Sequence, residues 1–241
     1  MKIPKIIHQT WKTFDVPIEL AHDFHSWKSH NPDWQFVGWD DLLLDDFVRK
    51  EYPQFEAIYN SYDHNINRVN LARYLLLKHY GGVFVDLDLE CLKPIEPLLA
   101  DHSLLFGREP ETHAKHPAAV LFHMPRIVGT AFIAAIAGHP FWDHLLSMIP
   151  TFAAQRDPLE ATGSIFLTAA LASFSGKSEI AVAAPALLYP FDREQIWSGM
   201  ASDFESRQLI AQQAYAIHRW LGTWRSVRPN PVSRAQPNTR Q

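Results

Sequence analysis

Two aspartates, one residue apart, are the strongest sign of chemistry in this sequence. Asp86 and Asp88 follow Gly81-Gly82 and an apolar run, and the alternation of residue types predicts one strand through Glu90 with both aspartates on one face. Their backbones would lie roughly 6–7 Å apart. Carboxylates this close repel each other unless a cation lies between them. Mg2+ or Mn2+ would serve, since either ion binds one or two carboxylates and completes its shell with water and diphosphate oxygens.

The segment before the aspartate pair is predicted to form a helix that places a positively charged side chain near the two aspartates. Residues 65–80 lack Pro and Gly, and Gly81 suits the left-handed residue that ends a helix. Helix and strand run antiparallel, so Arg73, and Asn70 three residues before it, are expected to face the cleft beside the aspartates. An arginine there can orient a carboxylate or bind the phosphate or sugar of a ligand. Asp86, Arg73 and Asn70 are therefore the catalytic candidates.

The patterning of the rest of the chain alternates between short strands and longer helices, which is typical of an α/β fold. Strands are expected at residues 5–11, 34–39, 83–90, 103–107, 179–182 and 186–188. Helices are expected at residues 17–30, 41–51 after a cap at Asp40, 65–80, 141–149 and 165–174. Residues 92–98 carry two prolines and are expected to form a loop or edge segment. The first strand should open into a cleft at its carboxyl end, where Gln9 and Trp11 lie.

Composition limits the class of protein. The chain has 241 residues, 47% of them hydrophobic, which is enough to bury the core of one domain. A net charge of −4 without a basic stripe argues against a nucleic-acid partner. Cys91 is the single cysteine, which rules out an internal disulfide and fits a reducing compartment. The N-terminus lacks the apolar run of a secretory signal, and no apolar patch approaches the roughly 20 residues of a membrane span. We expect a cytoplasmic protein with at most peripheral membrane contact.

Three separated motifs, taken together, resemble one family. They are the segments at residues 3–11, 73–88 and 218–224. The chain is similar to glycosyltransferase family 32, whose sugar-binding region carries a DxD motif. The resemblance implies a single GT-A domain over residues 1–225, with a Rossmann-like mixed sheet flanked by helices. Residues 226–241 lack apolar periodicity, and we expect a disordered tail there. The resemblance also implies a UDP- or GDP-hexose donor, Mn2+ or Mg2+, transfer with retention, and a carbohydrate or lipid-linked acceptor, as in polysaccharide biosynthesis.

The same resemblance assigns roles to the first two motifs. Trp11 matches the aromatic residue that stacks on the nucleobase, and Gln9 is taken with it as a donor-binding candidate. Arg73 matches an arginine near the donor sugar. Asp86 matches the aspartate that touches ribose, sugar or, through water, the metal, whereas Asp88 matches the direct metal ligand.

The C-terminal motif matches a lid that closes over the diphosphate. His218, Thr223 and Trp224 belong to it, and His218 is also a candidate third metal ligand. Two positions depart from the family pattern, because Asn70 stands where Asp is usual and Phe84 where Tyr is usual. Asn70 brings no negative charge to Arg73, and Phe84 brings no hydroxyl to the site.

Other interpretations remain open at this point. A haloacid-dehalogenase-like phosphohydrolase would use Asp86 as nucleophile, but Glu90 stands where that class has Thr or Val. A non-catalytic carbohydrate-binding module is suggested by the eight tryptophans. For single residues, Trp11 could fill the core and His218 could be only a partly buried side chain. Acceptor recognition is expected in the loop-like regions 108–125 and 150–163.

Overall fold

A six-stranded mixed sheet lies at the centre of the fold. The computed structural model describes residues 2–13 and 15–226. The strand order is β2-β1-β3-β6-β5-β7, with β4 and β8 forming a separate two-stranded sheet. Strand β1 is parallel to β2 and β3, β6 is antiparallel to β3 and β5, and β7 is parallel to β5. The strands are β1 (Ile6–Thr10), β2 (Gln35–Trp39), β3 (Gly82–Val85), β4 (Leu89–Cys91), β5 (Leu104–Arg108), β6 (Val128–Ala135), β7 (Ile180–Ala183) and β8 (Ala216–His218).

Helices cover both faces of the large sheet. They are α1 (Ile18–His30), α2 (Asp41–Glu51), α3 (Pro53–Ser61), α4 (Asn65–Tyr80), α5 (Glu96–Leu99), α6 (Pro117–Leu121), α7 (Pro140–Phe152), α8 (Pro158–Ala161), α9 (Ser164–Ser173), α10 (Pro185–Leu188), α11 (Arg193–Trp197) and α12 (Phe204–Ala211). Short 3-10 helices lie at Glu111–Lys115, Lys177–Glu179, Met200–Ser202 and Thr223–Ser226. None of the described helices is both long and apolar enough to cross a bilayer.

Strand β3 shows how the two sides of the sheet are packed. Its residue Phe84 belongs to the core that also holds Tyr74 of α4 and Trp142 of α7. Its neighbours Val83 and Val85 belong to the core on the opposite face, which includes Trp27 of α1. Because successive side chains of a strand point to opposite faces, one apolar strand serves both cores.

Most of the predicted elements are confirmed. The predicted helix at 65–80 is α4, and the predictions at 5–11, 34–39, 103–107 and 179–182 correspond to β1, β2, β5 and β7. The Asp40 cap is confirmed, since its carboxylate accepts a hydrogen bond from Leu43 N at 2.8 Å. Gly81 ends α4 as predicted, but with φ 66° and ψ −156°, which lies outside the left-handed helical region. A Cβ built on Gly81 would lie 2.6 Å from Ala137 N, so only glycine fits there.

The prediction of one strand through Glu90 is wrong. Strand β3 ends at Val85, and residues 86–88 form a turn closed by a hydrogen bond from Leu89 N to Asp86 O at 3.2 Å. The chain then pairs with β8 in the small sheet. The aspartates therefore lie on a turn and not on one face of a strand, because the backbone finds new hydrogen-bond partners that are distant in sequence.

Further differences concern residues 186–188, the segment 92–98 and strand β6. Residues 186–188, predicted as a strand, belong to α10, which begins with Pro185 at a favoured first position. The segment 92–98, predicted as loop or edge, contains most of α5. Strand β6 was not predicted, since it is central and buried on both faces and so lacks period-two alternation. Residues 227–241 of the predicted tail lie outside the described residues.

Candidate functional site

A cavity of about 640 Å³ opens at the carboxyl ends of β1 and β3. Trp11 follows β1 and lines it on one side, and Asp86 and Asp88 follow β3 and line it on another. In α/β sheets this is the edge where ligands bind. The C-terminal segment closes part of the cavity with His218 and the 3-10 helix Thr223–Ser226, from which Thr223 and Trp224 line it.

Asp86 is held by a buried arginine. Arg73 Nη2 donates to Asp86 Oδ1 at 2.7 Å, and Nη1 donates to Thr130 O at 2.5 Å. The guanidinium carbon lies 4.3 Å from the centroid of the Phe84 ring, so the position that lacks the usual tyrosine hydroxyl supplies an aromatic face instead. Arg73 is 1% exposed, so Asp86 balances a charge that would otherwise be costly to bury. Of the two roles predicted for Arg73, contact with a carboxylate is present in the structure, and contact with a ligand stays a prediction.

Asp88 is held by the C-terminal segment. His218 Nε2 lies 3.0 Å from Asp88 Oδ1, and Leu221 N donates to Oδ2 at 2.9 Å. Burial alone would raise the pKa of Asp88, but the charge and hydrogen bond of His218 outweigh it and keep this pKa below its usual value. Burial likewise would lower the pKa of His218, and Asp88 outweighs that effect and raises it. The two groups therefore favour an ion pair.

Asp86, Asp88 and His218 could hold a divalent cation. One ligand atom from each lies within 4.8 Å of the others. Two carboxylate oxygens and an imidazole nitrogen suit Mn2+, which accepts both ligand types, and the open cavity leaves room for ligand and water oxygens. The buried Nδ1 atom of His218 has no hydrogen-bond partner within the described residues. The residues fit the predicted metal.

Trp11 does not fill the core. Its side chain is half-buried, lines the cavity and has Lys12 Nζ 5.6 Å from its ring centroid. Trp11 N also donates to Trp39 O at 3.0 Å, which ties the end of β1 to the end of β2. The ring is thus placed where a planar ligand group can stack on it.

Two predicted site residues lie elsewhere. Asn70 and Gln9 are buried, and neither is among the described residues that line the cavity. Asn70 Nδ2 donates to Thr162 Oγ1 at 3.4 Å, so its amide is taken up by that loop and does not face the aspartates. Thr162 Oγ1 in turn donates to Asn67 Oδ1 at 3.1 Å. The placement of Asn70 and Gln9 at the cleft is therefore wrong, and no contact with the cavity supports their predicted roles.

Glu90 also departs from the prediction that it shares a face with the aspartates. It lies in β4, is 3% exposed, and is paired with two arginines. Arg207 donates to its two oxygens at 2.5 and 3.2 Å, and Arg219 donates to Oε2 at 3.0 Å. Glu90 is therefore part of a separate charge cluster outside the cavity.

Several residues that line the cavity were not predicted. Asp41 begins α2, directly after the end of β2, and its oxygens accept from Asn65 Nδ2 at 3.1 and 3.2 Å. Burial raises the pKa of Asp41, and the hydrogen bond from Asn65 opposes this. The signal was present in the sequence, because polar residues after neighbouring parallel strands meet at one edge. Asp192 and Trp197 also line the cavity without having been predicted, whereas Glu109, His113 and His116 line it from the predicted acceptor region 108–125.

Comparison with known families accounts for this arrangement. Residues 17–105 match the model described as "Glycosyltransferase sugar-binding region containing DXD motif". Over these residues the chain is similar to the sugar-binding region of that glycosyltransferase family. The match includes α4, β3 and the aspartate turn, and it confirms the resemblance to glycosyltransferase family 32.

Curated relatives extend the similarity beyond that region. The chain is 33% identical over 171 residues to inositol phosphoceramide mannosyltransferase 3 of Schizosaccharomyces pombe, covering 69% of this chain and 44% of that protein. It is 34% identical over 140 residues to mannosyl phosphorylinositol ceramide synthase CSH1 of Saccharomyces cerevisiae, covering 58% and 33%. The chain thus spans less than half of the length of either relative.

Solved structures confirm the GT-A α/β fold. The PaToxG glycosyltransferase superposes with a TM-score of 0.50 at 16% identity, covering 86% of this chain and 74% of that one. Mouse xyloside xylosyltransferase 1 superposes with a TM-score of 0.51 at 10% identity, covering 90% and 97%. At these identities the likeness concerns the fold alone.

Proposed function

We propose that this protein is a metal-dependent glycosyltransferase that moves a hexose from a nucleotide diphosphate sugar to a carbohydrate or lipid-linked acceptor, with retention of anomeric configuration. The observation that carries the proposal is the convergence of Asp86, Asp88 and His218 at the wall of the cavity, within a region that matches the DXD family. Retention rests on the family resemblance.

The metal would be held by Asp88 and His218, with Asp86 beside it. When bound, the divalent ion acts as a Lewis acid for the charge that develops on the leaving diphosphate. Arg73 keeps the Asp86 carboxylate in place through its hydrogen bond to Oδ1, while its second donor binds Thr130 O. Thr223 and Trp224 lie where they can exclude water from the diphosphate, because they line the same cavity beside His218.

The base of the donor would stack on Trp11. Asp41 and Asn65 line the same end of the cavity, and Asp41 is joined to Trp11 through the end of β2. A carboxylate there accepts two hydrogen bonds from adjacent N–H groups of guanine, whereas uracil presents one N–H between two carbonyl oxygens that the carboxylate would repel. This favours a GDP-hexose over a UDP-hexose.

The acceptor would bind where the predicted acceptor regions line the cavity. Thr112, His113 and His116 line the cavity there, from within the predicted acceptor region 108–125, and Leu159 does so from the region 150–163. The names of the two relatives describe transfer of mannose to, or synthesis of, inositol-phosphate-linked ceramides. A mannose donor and a lipid-linked acceptor are accordingly the combination to test first.

The decisive experiment is a donor panel. Purified protein is incubated with Mn2+ and GDP-mannose, UDP-glucose, UDP-galactose or UDP-GlcNAc, and release of nucleoside diphosphate is measured. Slow hydrolysis of at least one donor without acceptor is expected, with GDP-mannose fastest. Asp88→Asn should abolish it, while Asp143→Asn, on the exposed face of α7, should not. Silence with every donor from folded protein would refute the proposal.

Two different activities would indicate the other candidate functions. A phosphohydrolase using Asp86 would release inorganic phosphate from simple phosphate esters, and Arg73 already occupies one oxygen of that carboxylate. A carbohydrate-binding module would bind sugars without regard to Mn2+ or nucleotide. Neither accounts for the match to the DXD family.

A further inference from the structure

We propose that Arg219 is a positioning residue that holds residues 218–221 against the aspartate turn. The inference deepens the proposed function, because Asp88 is its proposed metal ligand. Arg219 N donates to Asp88 O at 2.9 Å. His218 and Leu221, on either side of it, contact the two oxygens of the Asp88 carboxylate. Arg219 is thus the middle of a short segment that fixes Asp88 at three points.

The side chain of Arg219 points to a different part of the fold. Its Nε and Nη2 atoms donate to Asp23 Oδ2 and Oδ1 at 2.5 and 2.8 Å, and Nη2 also donates to Glu90 Oε2 at 3.0 Å. Asp23 lies on α1 and Glu90 on β4, and the two are 1% and 3% exposed. Arg219 is not among the described residues that line the cavity. The guanidinium of Arg219 therefore acts outside the cavity, whereas its main-chain N–H contacts the aspartate turn.

The segment needs such an anchor because regular strand pairing stops before it. The ladder between β4 and β8 ends at the pair Leu89 and His218. Trp220 and Gly222 then adopt positive φ angles of 52° and 60°, so the chain turns out of strand geometry. Trp220 Nε1 donates to Phe191 O at 2.8 Å, which anchors the next residue on the other side. Side-chain contacts thus take over from the ladder.

The cluster around Asp23 could be mistaken for a second metal site. Ligand atoms of His22, Asp23 and Glu90 lie within 4.8 Å of one another. However, Arg207 occupies both oxygens of Glu90, and Arg219 occupies both oxygens of Asp23. Two guanidinium groups already balance the two carboxylates, so an added cation would meet net repulsion. The negative charges of Asp23 and Glu90 are therefore already balanced within the protein.

The first test compares two arginines that contact the same glutamate. In Arg219→Gln, the amide of Leu221 should exchange with deuterium at least tenfold faster, and the Kd for Mn2+ should rise at least tenfold. Arg207→Gln is the matched control, because Arg207 contacts Glu90 from α12 and donates to Ala201 O, away from the segment. In Arg207→Gln, the exchange rate at Leu221 and the Kd for Mn2+ should both stay within twofold of the wild type. Unchanged exchange at Leu221 in Arg219→Gln would overturn the proposal.

The second test separates positioning from stability. Arg219→Gln leaves Asp23 buried without its main partner, which lowers Tm on its own. Adding Asp23→Asn removes that charge, so Tm should recover while rapid exchange at Leu221 and weak Mn2+ binding persist. Recovery of all three together would show that Arg219 acts only through stability and would refute the proposal. A wild type that fails to bind Mn2+ would instead contradict the proposed function, and the exchange measurement would still decide the role of Arg219.

Discussion

Two groups of acidic and histidine side chains, each with a member in residues 86–90, differ in what balances their charge. Asp86, Asp88 and His218 face the cavity, with one arginine on Asp86 and one imidazole on Asp88. Asp23 and Glu90 lie outside it, and two arginines take up their oxygens. The two groups have similar residue types. The number of arginines and access to the cavity distinguish the candidate metal site from the cluster of Asp23 and Glu90.

The largest expected effect is a loss of stability when the cluster of Asp23 and Glu90 is changed. Glu90→Gln removes the buried carboxylate that Arg207 and Arg219 share. Breaking a buried ion pair costs about 3–5 kcal/mol of unfolding free energy. Urea denaturation measures the loss. Mn2+ binding should remain within threefold of the wild type, because Arg219 keeps Asp23. A variant of normal stability with lost Mn2+ binding would reverse the assignment of the two clusters.

Asp88→Asn should produce the complementary result. The amide brings no charge to the cation, so Mn2+-dependent binding of GDP should weaken by about 100-fold, or about 2.7 kcal/mol. The free energy of unfolding should change less than in Glu90→Gln. Calorimetric titration with GDP, with and without Mn2+, provides the measurement, and binding that stays as tight as in the wild type would exclude Asp88 as a ligand.

Arg73→Lys sharpens the comparison within the site. Lysine keeps the charge but cannot donate to both Asp86 and Thr130 from a planar fork. Donor hydrolysis should fall about 10–30-fold through kcat, with little change in the Kd for GDP. Arg49→Lys, on the exposed side of α2, serves as the control. Equal activity of the two variants would show that the fork is dispensable.

Asp41→Asn should give the smallest effect and tests the base. Inosine diphosphate lacks the 2-amino group of GDP, and the wild type should bind GDP about tenfold more tightly, a difference of about 1.4 kcal/mol. The variant should reduce this preference to within twofold, since an amide cannot accept both N–H groups as a carboxylate does. Asp45→Asn in the same helix should keep the preference. A wild type without any preference would mean that Asp41 does not read the base.

The sequence predicted what depends on neighbouring residues. Helix α4, its glycine end and the aspartate pair were all recognisable, because capping, helix propensity and the DxD spacing are local properties. The motif at residues 218–224 identified His218 only through resemblance. Its contact with Asp88 spans 130 residues of sequence, which no local pattern could indicate.

Tertiary structure decided which of several similar side chains work together. Locally, Asp86, Asp88 and Glu90 look like one alternating face, yet the pairing of β4 with β8 separates Glu90 from the aspartates and gives it to Arg207 and Arg219. The sequence by itself determined that carboxylates follow β3 and that a helix brings Arg73 beside them. Only the folded chain determined which carboxylates are paired with two arginines and which line the cavity, because burial and ion pairing depend on segments far apart in sequence.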